Sequence, residues 1–133
     1  MKHRLINFLI IITVTSCIGQ NKTKDSLFIK LDKKHLEITE FHKSKGFQYY
    51  SLIQDRNHHP EDWFYFSEEK IIYNLKPRKV FNIIEILKKA NAFYQINKYD
   101  EFDFYQYLEK KYDKIFLITK NRFIQVDINY FIE

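Results

Sequence analysis

The ten residues FIQVDINYFI, 123–132, constrain the fold of this chain more than any other stretch. Gln125, Asp127 and Asn129 lie between the apolar positions Ile124, Val126, Ile128, Tyr130 and Ile132. Because successive side chains of a strand point to opposite faces, this alternation predicts an antiparallel strand with one apolar and one wet face. The run IFLIT, 115–119, precedes it, and Lys120-Asn121-Arg122 predict the turn of a C-terminal β-hairpin.

Shorter patterns upstream predict the rest of the sheet. Alternating or aromatic-rich stretches at 27–31, 36–38 and 47–53 predict three strands. The stretches 63–66 and 71–75 flank Ser67-Glu68-Glu69-Lys70, and we expect them to form a hairpin about those four charged or polar residues.

Two segments have a helical period. After Pro77, apolar residues follow at intervals of three and four at Val80, Ile83, Ile84, Leu87 and Ala90. A second helix is predicted over Glu101–Lys111, with Asp100 as its N-cap and Phe104, Leu108 and Tyr112 as its buried stripe. These elements predict an α+β fold: an antiparallel sheet with one or two helices packed on one face and a C-terminal β-hairpin, in a single domain over residues 27–133.

The N terminus has the order of residue types that is typical of an export signal. Lys2, His3 and Arg4 are basic, 5–14 is almost wholly apolar, and two small residues follow. A bilayer span needs about 20 apolar residues, so this run is too short to be one. We predict a signal peptide over residues 1–16, with a buried N-terminal helix or strand as the alternative.

The end of that segment, Val14-Thr15-Ser16-Cys17, resembles the lipobox of bacterial lipoproteins, with an aliphatic residue at minus three and a small one at minus one. The resemblance covers residues 1–17 only. It implies cleavage before Cys17, a diacylglycerol on the thiol and acylation of the new amino terminus, which together hold a protein on a membrane. Residues 17–26 would then be the lipidated N terminus and a flexible tether. Ile18, which is not acidic, favours the outer membrane in a Gram-negative envelope.

Composition limits the remaining possibilities. Loss of residues 1–16 removes Lys2 and Arg4 and lowers the formal net charge from +5 to +3. Cys17 is the only cysteine, so its lipidation leaves no thiol for a disulfide, and the apolar core must stabilise the domain. The modest charge and the location outside the cytoplasm argue against a nucleic-acid partner.

The most suggestive polar group is His58-His59-Pro60-Glu61-Asp62, because imidazoles and carboxylates bind zinc. Adjacent histidines point apart in regular structure, however, and a solvated turn is the simpler interpretation. The chain has no G-x-S-x-G motif and no glycine-rich phosphate loop. We therefore predict no catalytic residue, no cofactor and no metal. An envelope hydrolase or metal-dependent enzyme that uses His58 and His59 is the alternative.

Aromatic residues are concentrated in 92–112, where a short helix and loop have too little inner surface to bury eight rings. Tyrosine suits recognition surfaces, since it offers contact area and a polar tip at little entropy loss. The candidate binding residues are Tyr94, Tyr99, Phe102, Tyr105 and Tyr107; the alternative is that these rings belong to the core. We expect a non-catalytic binding domain, anchored to the membrane through Cys17, with a protein partner in the envelope. A more specific version is an immunity-type inhibitor of an incoming toxin.

Overall fold

The computed structural model describes residues 25–39, 48–54, 62–95 and 98–132. These residues form strands β1 Asp25–Lys30, β2 Leu36–Thr39, β3 Tyr49–Leu52 and β4 Asp62–Ile72, helix α1 Ile83–Lys89, strands β5 Phe93–Gln95 and β6 Lys98–Tyr99, helix α2 Glu101–Lys111, and strands β7 Tyr112–Thr119 and β8 Arg122–Ile132. The first strand begins at Asp25, so Asp25 and Ser26 belong to the sheet and not to the predicted tether.

The main sheet has six strands in the order β1-β7-β8-β4-β3-β2, and β5 and β6 form a separate pair. The predicted α+β class and the C-terminal hairpin are confirmed: β7 and β8 pair antiparallel up to Thr119 opposite Arg122. The sheet is mixed, because β1 pairs parallel with β7 at one edge while the other neighbours pair antiparallel.

The two edge strands, β1 and β2, are consecutive in the chain, which requires the sheet to curl. In a flat six-stranded sheet the edges would lie about 24 Å apart, at roughly 4.8 Å per neighbour. The connection from Lys30 at the end of β1 to Leu36 at the start of β2 is six residue steps long, and six extended steps reach only about 20 Å. The connection is shorter still, since the carbonyl of Asp32 accepts from the backbone N–H of His35 at 3.1 Å and of Leu36 at 2.9 Å.

One face of the curled sheet carries the core, and both helices pack on it. Helix α2 contributes Phe104 and Leu108, which are fully buried as predicted. The ring of Phe104 lies 5.0 Å from that of Phe64 and 6.5 Å from that of Phe66 on β4. Helix α1 adds three fully buried side chains, Ile83, Ile86 and Leu87.

Helix α1 begins later than its apolar pattern predicts. Asn82 is its N-cap and accepts from the backbone N–H of Ile84 at 2.9 Å. The residue before it, Phe81, is held in extended pairing: its N–H donates to Phe28 and its carbonyl accepts from Lys30, both at 2.8 Å. The prediction of a helix from Pro77 was therefore wrong, because bonding to β1 and an Asn cap delay its start. Val80 remains 43% exposed.

Strand β4 corrects a second prediction. Residues 63–66 and 71–75 do not form a hairpin, since β4 continues from Asp62 to Ile72 and pairs along its length with β8. The register shifts between Glu68 and Lys70, as in a β-bulge. The charged residues that suggested a turn occupy this bulge, and Gln125 donates to Glu69 across it at 3.2 Å.

Candidate functional site

Aromatic side chains from three distant parts of the sequence meet where β4 begins and β8 ends. Trp63 is paired with Phe131, and their rings lie 4.8 Å apart. On the other face of β8, the ring of Tyr130 lies 5.2 Å from Phe102 and 5.9 Å from Tyr105 of α2. Together with Ile132, the last residue of β8, these residues form what we call the aromatic end: Trp63, Phe102, Tyr105, Tyr130, Phe131 and Ile132.

The strand period and the helix period together produce this arrangement. Tyr130 and Phe131 are adjacent on β8, so they point to opposite faces and place rings on both sides of the strand. Phe102 and Tyr105 are three positions apart in α2 and hence neighbours on its surface. Because Phe104 turns inward between them, the helix contributes one buried and two outer rings at the same place.

Glu101 fixes the position of the first turn of α2. Its side chain is buried, with 8% exposed, and its Oε1 accepts from the backbone N–H of Phe64 at 2.8 Å. Its Oε2 accepts from the side-chain amide of Gln54. The oxygen of that amide accepts from the backbone N–H of Tyr99 at 2.8 Å. This network links β4, β6 and the residues after β3 to the helix start, and it places Phe102 beside Tyr130.

The predicted N-cap of α2 is confirmed: Asp100 Oδ1 accepts from the backbone N–H of Asp103 at 3.0 Å. At the other end of the helix, Lys111 Nζ donates to the hydroxyl of Tyr107 at 3.1 Å. The ring of Tyr107 lies 6.1 Å from that of Tyr112. The pKa of Tyr112 is raised, first by burial, then by a hydrogen bond with Tyr107 and by the carboxylate of Asp25.

The aromatic end exposes a large apolar surface for one small region. Ile132 is 67% exposed, Phe102 43% and Phe131 41%. The exposed charged residues of α2 and of the starts of β1 and β7 are mixed in sign: Lys110, Lys111 and Lys114, and Asp25, Asp103, Glu109 and Asp113. The exposed apolar side chains at this end of the sheet are therefore accompanied by charges of both signs.

The candidate binding residues are distributed unevenly around this surface. Phe102 and Tyr105 belong to it, whereas Tyr107 contacts Tyr112 of β7. Tyr99 is buried on Phe93, with 4.8 Å between the rings, and burial raises its pKa. Tyr94 lies in β5, and the structure describes its backbone only. Their role in binding stays a prediction.

Sequence reasoning missed the partners that complete the surface, Trp63, Tyr130, Phe131 and Ile132. Tyr130 and Ile132 were interpreted only as members of the apolar face of the last strand. An available signal was the pair of large apolar residues at the end of that strand, Phe131 and Ile132. Adjacent strand residues point to opposite faces, and one short helix cannot cover both faces of the strand. The pairing of Trp63 with Phe131 joins positions far apart in the chain, and no local pattern indicates it.

The remaining predicted site residues, Cys17, His58 and His59, lie outside the described residues. Within the described ranges, no group of three or more His, Cys, Asp or Glu side chains is arranged to hold a metal ion. No helix in that same part of the chain is long and apolar enough to cross a membrane.

Comparison with protein-family models, with curated proteins and with solved structures finds no match for this chain.

Proposed function

We propose that this protein is a lipid-anchored cell-envelope lipoprotein whose body is a non-catalytic binding domain. Its binding surface is the aromatic end, and it binds another component of the envelope. The observation that carries this proposal is the contact of the tyrosine-rich helix α2 with Tyr130 of β8, at an end of the sheet where Phe102, Phe131 and Ile132 are exposed. Exposed apolar surface of this kind marks interaction sites.

The sequence supports the anchor. Basic residues, a short apolar run and the small residue Ser16 precede Cys17 in the order that lipoprotein signals have. Because two or more acyl chains are needed for stable attachment, a thiol and an amino terminus on one residue suit this purpose.

The chemistry of the buried acid supports a binding role over a catalytic one. Glu101 is the buried acidic residue of the described part of the chain, and its carboxylate oxygens accept hydrogen bonds from Phe64 and Gln54. Those bonds hold a helix on a sheet and place a ring of the aromatic end. The group therefore acts as a structural support for the binding surface.

Metabolic labelling with a radioactive fatty acid tests the anchor. The wild-type protein should incorporate label and remain in the membrane fraction, and the Cys17→Ser variant should lose both the label and the attachment. Ser26→Ala, outside the lipobox, is the matched control and should behave as the wild type. Absence of label from the wild type, or retention of label by Cys17→Ser, contradicts the proposal.

A further inference from the structure

We propose that the envelope component bound by the aromatic end is the lipid bilayer itself, so that this end of the domain lies in the headgroup region of the membrane that carries the anchor. The inference rests on the proposed lipid anchor at Cys17 and names the partner of the same surface.

The first reason is where the chain enters the sheet. Asp25 begins β1 and is paired with Tyr112, the first residue of β7. Continuing the register in which Ile115 faces Val126 places Tyr112 level with Asn129 of β8. Strand β8 runs on for three residues beyond that level, about 10 Å at 3.3 Å per residue. The aromatic end therefore lies at the same end of the sheet as the start of β1.

The second reason is the reach of the tether. Asp25 follows Cys17 by eight residues. Eight residues span at most about 28 Å when extended, and less in any other conformation. An acylated Cys17 would thus keep the start of β1 close to the bilayer. The anchor would therefore give the aromatic end a high effective concentration of lipid.

The third reason is the chemistry of the surface. Phe102, Phe131 and Ile132 present apolar side chains that can enter the acyl boundary. Amphipathic rings lie beside two of them: Trp63 contacts Phe131, and Tyr130, which also contacts Tyr105, contacts Phe102. Tryptophan and tyrosine are enriched at membrane–water interfaces, because one part of each ring is apolar and the other forms hydrogen bonds.

Charge indicates which membranes the surface should accept. The exposed Lys110, Lys111 and Lys114 are matched in number by the exposed Asp103, Glu109 and Asp113. A surface of mixed sign gains little from anionic lipid, so apolar insertion must supply the attraction. The aromatic end should therefore dock on zwitterionic phosphatidylcholine, and moderate salt should have little effect.

The chain carries its own attachment point and its own probe for a test, since Cys17 is the only cysteine and Trp63 the only tryptophan. The mature chain, 17–133, contains every described element. It is coupled through Cys17 to phosphatidylcholine vesicles that contain a maleimide lipid. Quenching of Trp63 fluorescence by brominated phosphatidylcholine then measures how close the aromatic end lies to the bilayer. Near-ultraviolet circular dichroism before coupling verifies the fold of each variant.

Matched variants separate docking from mere attachment. The wild type should be quenched by brominated lipid, and Phe102→Glu/Ile132→Glu should lose that quenching because two charges replace exposed apolar side chains. Tyr73→Glu/Val80→Glu alters side chains that are 58% and 43% exposed away from this surface, and it should keep the quenching. If the double glutamate variant fails to fold, Phe102→Ser/Ile132→Ser takes its place.

Two results overturn the inference: an unquenched wild type, or equal quenching in the two double variants. Chemical coupling supplies the anchor whether or not a cell acylates Cys17. Failure of docking is thereby distinguishable from failure of the proposed lipidation, which the fatty-acid labelling reports separately.

Discussion

The carboxylate of Glu101 accepts a hydrogen bond from the backbone N–H of Phe64 at 2.8 Å and so joins the first residue of α2 to the central strand β4. A buried carboxylate in this position accepts from a backbone donor of the sheet. It also determines where the helix starts on the sheet, and thereby which rings of α2 reach the aromatic end.

Replacement of Glu101 should destabilise the protein strongly. In Glu101→Ala, the N–H of Phe64 and the amide of Gln54 lose a buried acceptor, and an unsatisfied buried group costs about 1–3 kcal/mol. We expect a fall of about that size in the free energy of unfolding, measured by urea denaturation with Trp63 fluorescence. Gln106→Ala, an exposed position of the same helix, should change little. Equal midpoints for the two variants would contradict the role of Glu101.

The N-cap of α2 should contribute a smaller, separable amount. Asp100→Ala removes the acceptor of the Asp103 N–H, and loss of such a cap typically costs about 1 kcal/mol. Asp100→Asn keeps a side-chain oxygen at the same place and should restore most of the stability. The two variants are compared by urea denaturation. An alanine variant as stable as the asparagine variant would show that the cap is unimportant.

Two phenylalanines of α2 should behave in opposite ways. Phe104 is fully buried against Phe64 and Phe66, so Phe104→Ala should lower the free energy of unfolding by about 3–5 kcal/mol. Phe102 is 43% exposed, so Phe102→Ala should lower it by about 1 kcal/mol or less. Thermal and urea unfolding measure both. Comparable losses would mean that Phe102 belongs to the core and not to a surface.

Stability should fall at alkaline pH in a way that depends on Tyr50. Burial raises the pKa of its hydroxyl to about 12, and the carboxylate of Glu68 adds to the increase. The hydroxyl also donates to Gln48 Oε1 at 3.0 Å. Between pH 10 and pH 12 the folded chain keeps a proton that the unfolded chain releases, so the contribution is complete below pH 10 and is lost as pH rises to about 12.

The loss attributable to this one hydroxyl is at most about 1.4 kcal/mol per pH unit. Urea denaturation of the wild type and of Tyr50→Phe at pH 9 and pH 11 measures it, and the phenylalanine variant should show the smaller decrease. Tyr73→Phe removes a hydroxyl from a side chain that is 58% exposed and controls for general alkaline effects. A decrease in Tyr50→Phe as large as that in the wild type would contradict the prediction.

The elements that were predicted correctly are those whose signals are local. Helix α2 has the predicted bounds, because the cap at Asp100, the apolar period and the terminal lysines all lie within one short segment. The hairpin of β7 and β8 follows from an apolar run before a short turn and an alternating run after it. In contrast, β4 continues through charged residues that suggested a turn, because pairing with β8 compensates for a local bulge.

The candidate site was only half predictable. The tyrosine-rich segment indicated Phe102, Tyr105 and Tyr107, since too many rings lay in too short a helix. Trp63 and Phe131 could not be assigned to the same surface, because their contact depends on the register between β4 and β8. The burial of Tyr99 could not be predicted either, since Phe93 and the network around Glu101 reach it from other elements.

By itself, the sequence determined the C-terminal hairpin and the bounds of α2, and its first residues have an order that resembles a lipoprotein signal. These properties depend on neighbours within a few positions, through hydrogen bonds, side-chain period and charge. Only the tertiary structure decided that β1 lies parallel to β7 and that Trp63 meets Phe131. Such contacts depend on strand register and on the curl of the sheet, which arise from packing the whole core at once.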